Sequence, residues 1–194
     1  MIAIDAQILV YAHRADAMWH VRARDRLAEL ATSNTRWGIP VHCLVEFYAT
    51  VTRGLYTPPS TPEQAIAQVD AWLESPSLTL LSEDANTWST ARDLLLAAKI
   101  VGVTAYDARI AAVCLEHGVT ELWTNDRDYL KFPALRVRNP LIDLHPSQAG
   151  EARGGYQTRT PGKRSTSASG TRRSSASTAL ESAQQRAGDR RRSR

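Results

Sequence analysis

The sequence predicts an α/β domain over residues 1–146, a central parallel sheet of four to five strands flanked by helices, followed by a disordered basic tail over 147–194. Three observations predict it. Short apolar runs alternate with longer stretches of helical periodicity. The intervening helices are long enough to cross over between parallel strands. The composition changes abruptly near Pro146, beyond which Tyr156 and Leu180 are the only large apolar residues among Ser, Thr, Gly, Arg and Gln. A segment of that kind buries too little surface to offset its ordering entropy.

In chain order, Ile2-Ala3-Ile4 reads as a short strand ended by Asp5, and a brief helix follows over Ile8–His13. Ala23, Leu27, Leu30 and Ala31 recur at helical spacing in a second helix over about 19–32. Trp37–Ile39 is a strand stopped by Pro40. Leu44, Phe47, Tyr48 and Val51 then form an i, i+3, i+4, i+7 stripe, an amphipathic helix. Thr61-Pro62-x-Gln64 opens the next helix, with proline at the first helical position behind a threonine cap, and Ser75-Pro76 ends it. Leu78–Leu81 is a strand, Ala85–Lys99 a helix, and Thr104–His117 a helix closed by Gly118. Leu122-Trp123-Thr124 leads as a strand into Asn125-Asp126, and Leu135–Val137 is the last strand.

Charge is divided along the chain. The net +4 combines 13 basic and 17 acidic residues in 1–146 with 11 basic and 3 acidic residues in 147–194. The basic character belongs to the tail, and the mildly acidic domain is a poor match for nucleic-acid binding by bulk charge alone. No apolar run approaches the roughly 20 residues that span a bilayer, and Met1-Ile-Ala-Ile-Asp5 has no basic leader, so a cytoplasmic protein without membrane association is expected. Cys43 and Cys114 are far apart and form no CxxC pair, which argues against a disulfide scaffold or zinc site. His13, His20, His42, His117 and His145 show no HxH or HExxH spacing, and the chain has no GxxxxGK[ST], GxGxxG or GxSxG motif.

The informative residues are acids. In open parallel sheets the site lies beyond the carboxyl ends of the strands, and Asp5 and Asp126 each follow a short apolar strand. Asp107 shares a helix face with Ile110, Ala111 and Cys114, where a carboxylate is costly unless paired or coordinated. Bland readings exist for each: Asp5 as a helix cap, Asp126 as turn chemistry, Asp107 in a salt bridge to Arg92, and Glu46 as a solvated charge facing away from its helix's apolar stripe. Jointly they point to convergence. Two carboxylates ~4 Å apart repel by roughly 4 kcal/mol at an effective dielectric near 20, so a cluster of them calls for protons or a hard divalent cation.

At these residues the sequence resembles the PIN-domain family, and within it the VapC-type ribonuclease toxins of bacterial toxin–antitoxin pairs. The resembling stretches are IAIDAQILVYAHRAD, the helix carrying CLVEF, AYDARIAAVCLEHGV, and ELWTNDRDYLKFPALRVRNPL, in the family's order over 2–140. The resemblance implies Asp5, Asp107 and Asp126 as metal ligands, with Glu46 completing the catalytic carboxylates directly or through water. It implies Mg2+, with Mn2+ as an alternative, and hydrolysis of an RNA phosphodiester to a 5′-phosphate and a 3′-hydroxyl by an activated water. Asp128 lies where some members carry a further acid, although a turn role carries more weight. Thr124 would be a hydroxyl beside Asp126. Arg14, Arg53 and Arg127 are candidates for substrate contact. An RNA substrate, a cognate VapB-like antitoxin and a homodimer are the implied partners.

One departure stands out. Family members begin Asp-Thr/Ser-Asn, whereas this chain reads Asp5-Ala6-Gln7, without the hydroxyl that would orient Asp5 or a metal-bound water. Three readings follow: an active toxin ribonuclease, a catalytically impaired PIN module that binds RNA or a protein, and a nucleic-acid-binding protein driven by its tail.

Overall fold

The computed structural model describes residues 1–142, and the expected domain boundary at 146 and the tail over 147–194 lie outside them. The elements are β1 (Ile2–Ile4), α1 (Ala6–His13), α2 (His20–Thr32), β2 (Trp37–Pro40), α3 (Val41–Thr52), α4 (Pro62–Leu73), β3 (Leu78–Leu81), α5 (Thr87–Ala97), α6 (Ala105–Glu116), β4 (Glu121–Trp123) and β5 (Val137–Arg138). Single 3-10 turns over Gly102–Thr104 and Arg127–Lys131 precede α6 and follow β4. The five strands form one sheet in the order β3-β2-β1-β4-β5, and every pairing is parallel.

Successive residues of a strand point to opposite faces, so a strand buried throughout is covered on both. All four residues of β2 and all three of β4 are buried. Ile4, Ile8, Leu9, Trp37, Ile39, Phe47 and Leu122 are the large side chains at the centre of this core. β2 and β3 lie on one side of β1, and β4 and β5 on the other. The strand order therefore reverses between β1 and β4, the place where open α/β sheets bind ligands.

Local chemistry accounts for the element boundaries. Thr61 Oγ1 accepts a bond from the Gln64 N–H at 3.2 Å, while Gln64 Oε1 accepts from the Thr61 N–H at 2.9 Å, a complete capping box. Gly118, at φ +64°, takes the left-handed conformation that terminates α6. Several elements differ from the sequence expectation: β2 includes Pro40, β4 is Glu121–Trp123 and α5 is the shorter Thr87–Ala97. α1 starts at Ala6 because Asp5 caps it, its side chain accepting from the Ala6 N–H at 2.8 Å. The buried stripe of α3 is Cys43, Phe47 and Val51, and Tyr48 is exposed. The last strand is Val137–Arg138, because only those residues pair with β4.

Gly38 shows how tightly β2 and β3 meet. A Cβ there would lie 2.8 Å from Leu81 Cδ2 and 2.9 Å from Leu81 Cγ, and Leu81 is itself fully buried. Since Cγ must move as well as a methyl tip, Gly38→Ala is expected to destabilise the domain by about 1–3 kcal/mol, measured by chemical denaturation. An unchanged midpoint would mean that the Leu81 side chain has room the packing does not reveal.

Candidate metal centre

Ile4 lies opposite Trp123 in the β1–β4 pair, so Asp5 and Thr124 leave the sheet side by side. The Asp5 N–H donates to the Trp123 carbonyl at 3.0 Å, and the Thr124 hydroxyl donates to Asp5 Oδ2 at 2.6 Å. The same Thr124 oxygen accepts from the Asp126 N–H at 2.9 Å, so one hydroxyl couples the two strand-end acids. Asp126 Oδ1 in turn accepts from the Asp128 N–H at 2.8 Å and opens the 3-10 turn. The capping and turn roles expected of Asp5 and Asp126 are thus real. They set the geometry of the site rather than replacing it.

Asp107 stands in the first turn of α6, and Glu46 on the exposed side of α3. All four predicted acids, Asp5, Glu46, Asp107 and Asp126, line one cavity of about 460 Å³. Gln7, Tyr11, Asn125, Arg127 and Tyr129 complete its wall. One carboxylate oxygen each from Asp107, Asp126 and Asp128 falls within 4.8 Å of the others, so Asp128 joins the acids despite its turn setting. It also pairs with Lys131 at 2.8 Å. The salt bridge that would explain Asp107 without a ligand is not formed; Arg92 binds its neighbour Asp93 at 2.9 Å.

Electrostatics follow from that crowding. Burial pushes the Asp5 carboxyl up to about 6, with Glu46 and Asp126 adding repulsion and the Thr124 hydroxyl pulling the other way. Asp107 is also pushed up to about 6, by burial and then by Asp126, Asp128, Asp5 and Glu46. Around Asp5, Oδ1 additionally faces the Tyr129 hydroxyl at 3.5 Å and the Cys43 thiol at 3.9 Å. Burial and the neighbouring Asp5 raise both of those groups well above their ordinary values, so each remains a proton donor to the carboxylate.

The donor set suits a hard cation. It consists of carboxylate oxygens, while the four described histidines are engaged elsewhere: His13 with Ser60, His20 with the Tyr11 carbonyl, His42 with Arg109 and His117 with the Ser82 carbonyl. Magnesium or manganese fits such ligands better than zinc does. Thr124→Val keeps the shape of the side chain and removes the link between Asp5 and Asp126. It is expected to weaken Mn2+ binding about 10–100-fold in titration calorimetry. Undiminished affinity would show that the hydroxyl plays no part in arranging the site.

Sequence reasoning underweighted Asp128 and missed Tyr129, whose hydroxyl reaches Asp5. Its signal is spacing: residues three apart eclipse one another in a 3-10 turn, and Tyr129 lies three after Asp126. Cys43 carried no such signal.

A parallel sheet with an acidic cavity at its switch point defines a carboxylate protein able to hold a divalent metal. The PIN domain model matches residues 2–135. The VapC ribonuclease Mb2897 of Mycobacterium bovis is 37% identical over 142 residues, which cover 73% of this chain and 96% of that protein. Two solved structures share the fold. VapBC2 from Rickettsia felis, bound to a DNA fragment from its promoter, has a TM-score of 0.54 at 22% identity, covering 72% of this chain and 98% of that one. VapC20 of Mycobacterium tuberculosis, a sarcin-ricin loop cleaving toxin, has a TM-score of 0.53 at 18% identity, covering 67% and 93%. The chain belongs to the PIN-domain family, among its VapC-type members. No helix among the described residues is long and apolar enough to cross a membrane.

Proposed function

We propose that this chain is a metal-dependent endoribonuclease, the toxin of a VapBC-type toxin–antitoxin pair, acting in the cytoplasm as a homodimer and silenced by a cognate VapB-like antitoxin. The observation that carries the reading is the meeting of Asp107, Asp126 and Asp128 oxygens within 4.8 Å, two of these acids lining the cavity that also holds Asp5 and Glu46. Asp5, Asp107 and Asp126 would hold Mg2+ or Mn2+, with Asp128 beside them and Glu46 completing the catalytic acids. The ion supplies Lewis-acid polarisation of a phosphate oxygen and acidification of a water. The chain supplies the frame: Thr124 and Tyr129 hydroxyls and the Ala6 N–H fix Asp5, and the Asp126 turn fixes its own carboxylate. Water attacks phosphorus in line, the bond to the 3′ oxygen breaks, and the products carry a 3′-hydroxyl and a 5′-phosphate.

The impaired-module alternative rests on Ala6-Gln7. Against it, Asp5 accepts bonds from two hydroxyls without one at position 6. The test is cleavage of structured RNA by the purified chain. Degradation that requires Mg2+ or Mn2+ and stops on adding EDTA is expected. No metal-dependent cleavage by the chain or by an Ala6→Thr/Gln7→Asn variant would favour a binding module.

A further inference from the structure

The cavity carries four carboxylates, so a phosphodiester approaching it meets net repulsion except where a cation is available. Arg14 lines a different cavity and is committed there: both its Nε and a terminal nitrogen donate to Asp16 at 2.9 Å, another reaches Ser60 at 3.3 Å, and its guanidinium lies 4.4 Å from the Tyr56 ring centroid. Lys131 is tied to Asp128. Arg53 caps the end of α3 and does not line the cavity. Among the described residues Arg127 is the cavity's one basic lining residue, and no carboxylate there pairs with it.

We infer that Arg127 is the residue that receives a substrate phosphate and sets its register against the carboxylates, an assignment that rests on the nuclease reading. Its place supports this. Arg127 begins the 3-10 turn that Asp126 caps, so one hydrogen-bonded turn fixes both the acid and the guanidinium base. A guanidinium offers five donors in a planar fork that matches phosphate oxygens, whereas an ammonium acts as a point charge. Phosphate contacts of this kind position the chain without reading sequence, and a contact to a phosphate beside the one attacked is the same in the bound and reacting states, so its loss appears in KM.

The test compares wild type, Arg127→Ala, Arg127→Lys and Arg24→Ala, each as the full chain with Mn2+, on a fluorescein-labelled RNA hairpin. Arg127→Ala is expected to raise KM about tenfold with kcat within about twofold, since loss of uniform binding appears in KM. The slope of log affinity against log salt should fall by about 0.7, the single-strand value for one phosphate contact. Arg127→Lys should recover the slope and only part of KM. Arg24→Ala, an exposed arginine paired only with its neighbour Asp25, should match wild type, and none of the variants should lose Mn2+ affinity. An unchanged KM in Arg127→Ala, or a parallel loss of Mn2+ affinity, would overturn the assignment. If wild type cleaves nothing, the nuclease reading fails separately. Fluorescence anisotropy with the same hairpin then decides for Arg127: weaker binding by Arg127→Ala supports its phosphate contact, and equal binding refutes it.

Discussion

Asp107→Asn is expected to abolish metal-dependent RNA cleavage while leaving the protein folded and its metal-free form more heat-stable at neutral pH. Asn keeps the shape of the side chain and removes a charge that faces Asp126, Asp128, Asp5 and Glu46 with no basic partner among the described residues. Lewis-acid stabilisation is worth several kcal/mol, so a loss of about 10^3-fold or more follows at 1.36 kcal/mol per decade. The pairing of effects is the diagnostic part. A structural carboxylate loses stability on neutralisation, whereas one held for a cation gains it when the cation is absent. Cleavage assays, Mn2+ calorimetry and thermal melts on one preparation check all three. Undiminished cleavage by Asp107→Asn would end the ribonuclease reading.

The second large effect is a dependence of stability on both pH and metal. Asp5 has a folded-state value of about 6 against an ordinary 3.8, so between these values the folded chain binds more protons than the unfolded one. The Asp5 contribution to the stability of the metal-free protein is then lost as pH rises from about 4 to about 6, about 3 kcal/mol at full effect. Asp107 acts in the same direction, screened by its partial exposure. Asp16, Glu63 and Glu83 are held below the usual carboxylate range and act oppositely, so the slope is read as wild type minus Asp5→Asn. A divalent ion needs the deprotonated acids, so Mg2+ or Mn2+ should raise Tm far more at pH 7.5 than at pH 5. A wild-type excess of stability that grows with pH without metal would contradict the assignment of Asp5.

The legible and illegible parts of the site separate on physical grounds. Asp107 was conspicuous because a carboxylate interrupts an apolar stripe, and Asp5 and Asp126 because strand ends in a parallel sheet mark the functional edge. Glu46 has no local signal: its side chain is exposed, and only the approach of α3 to the β1–β4 junction brings it to the cavity. Asp128 was hidden by its own turn, which explains its presence without any ligand. The fold was more open to reading than its edges. β2 is a continuous apolar run and β4 carries the apolar pair Leu122-Trp123, whereas β5 is two residues whose pairing depends on a neighbouring strand.

The bond from the Thr124 hydroxyl to Asp5 spans 119 residues of sequence. A growing polypeptide therefore carries one half of its reactive centre from the outset and waits for most of the domain before the other half arrives. A chain released between Asp107 and Thr124 would retain Asp5, Glu46 and Asp107 yet lack the clasp that aligns them. On the nuclease reading, premature termination should yield fragments without a complete acidic site.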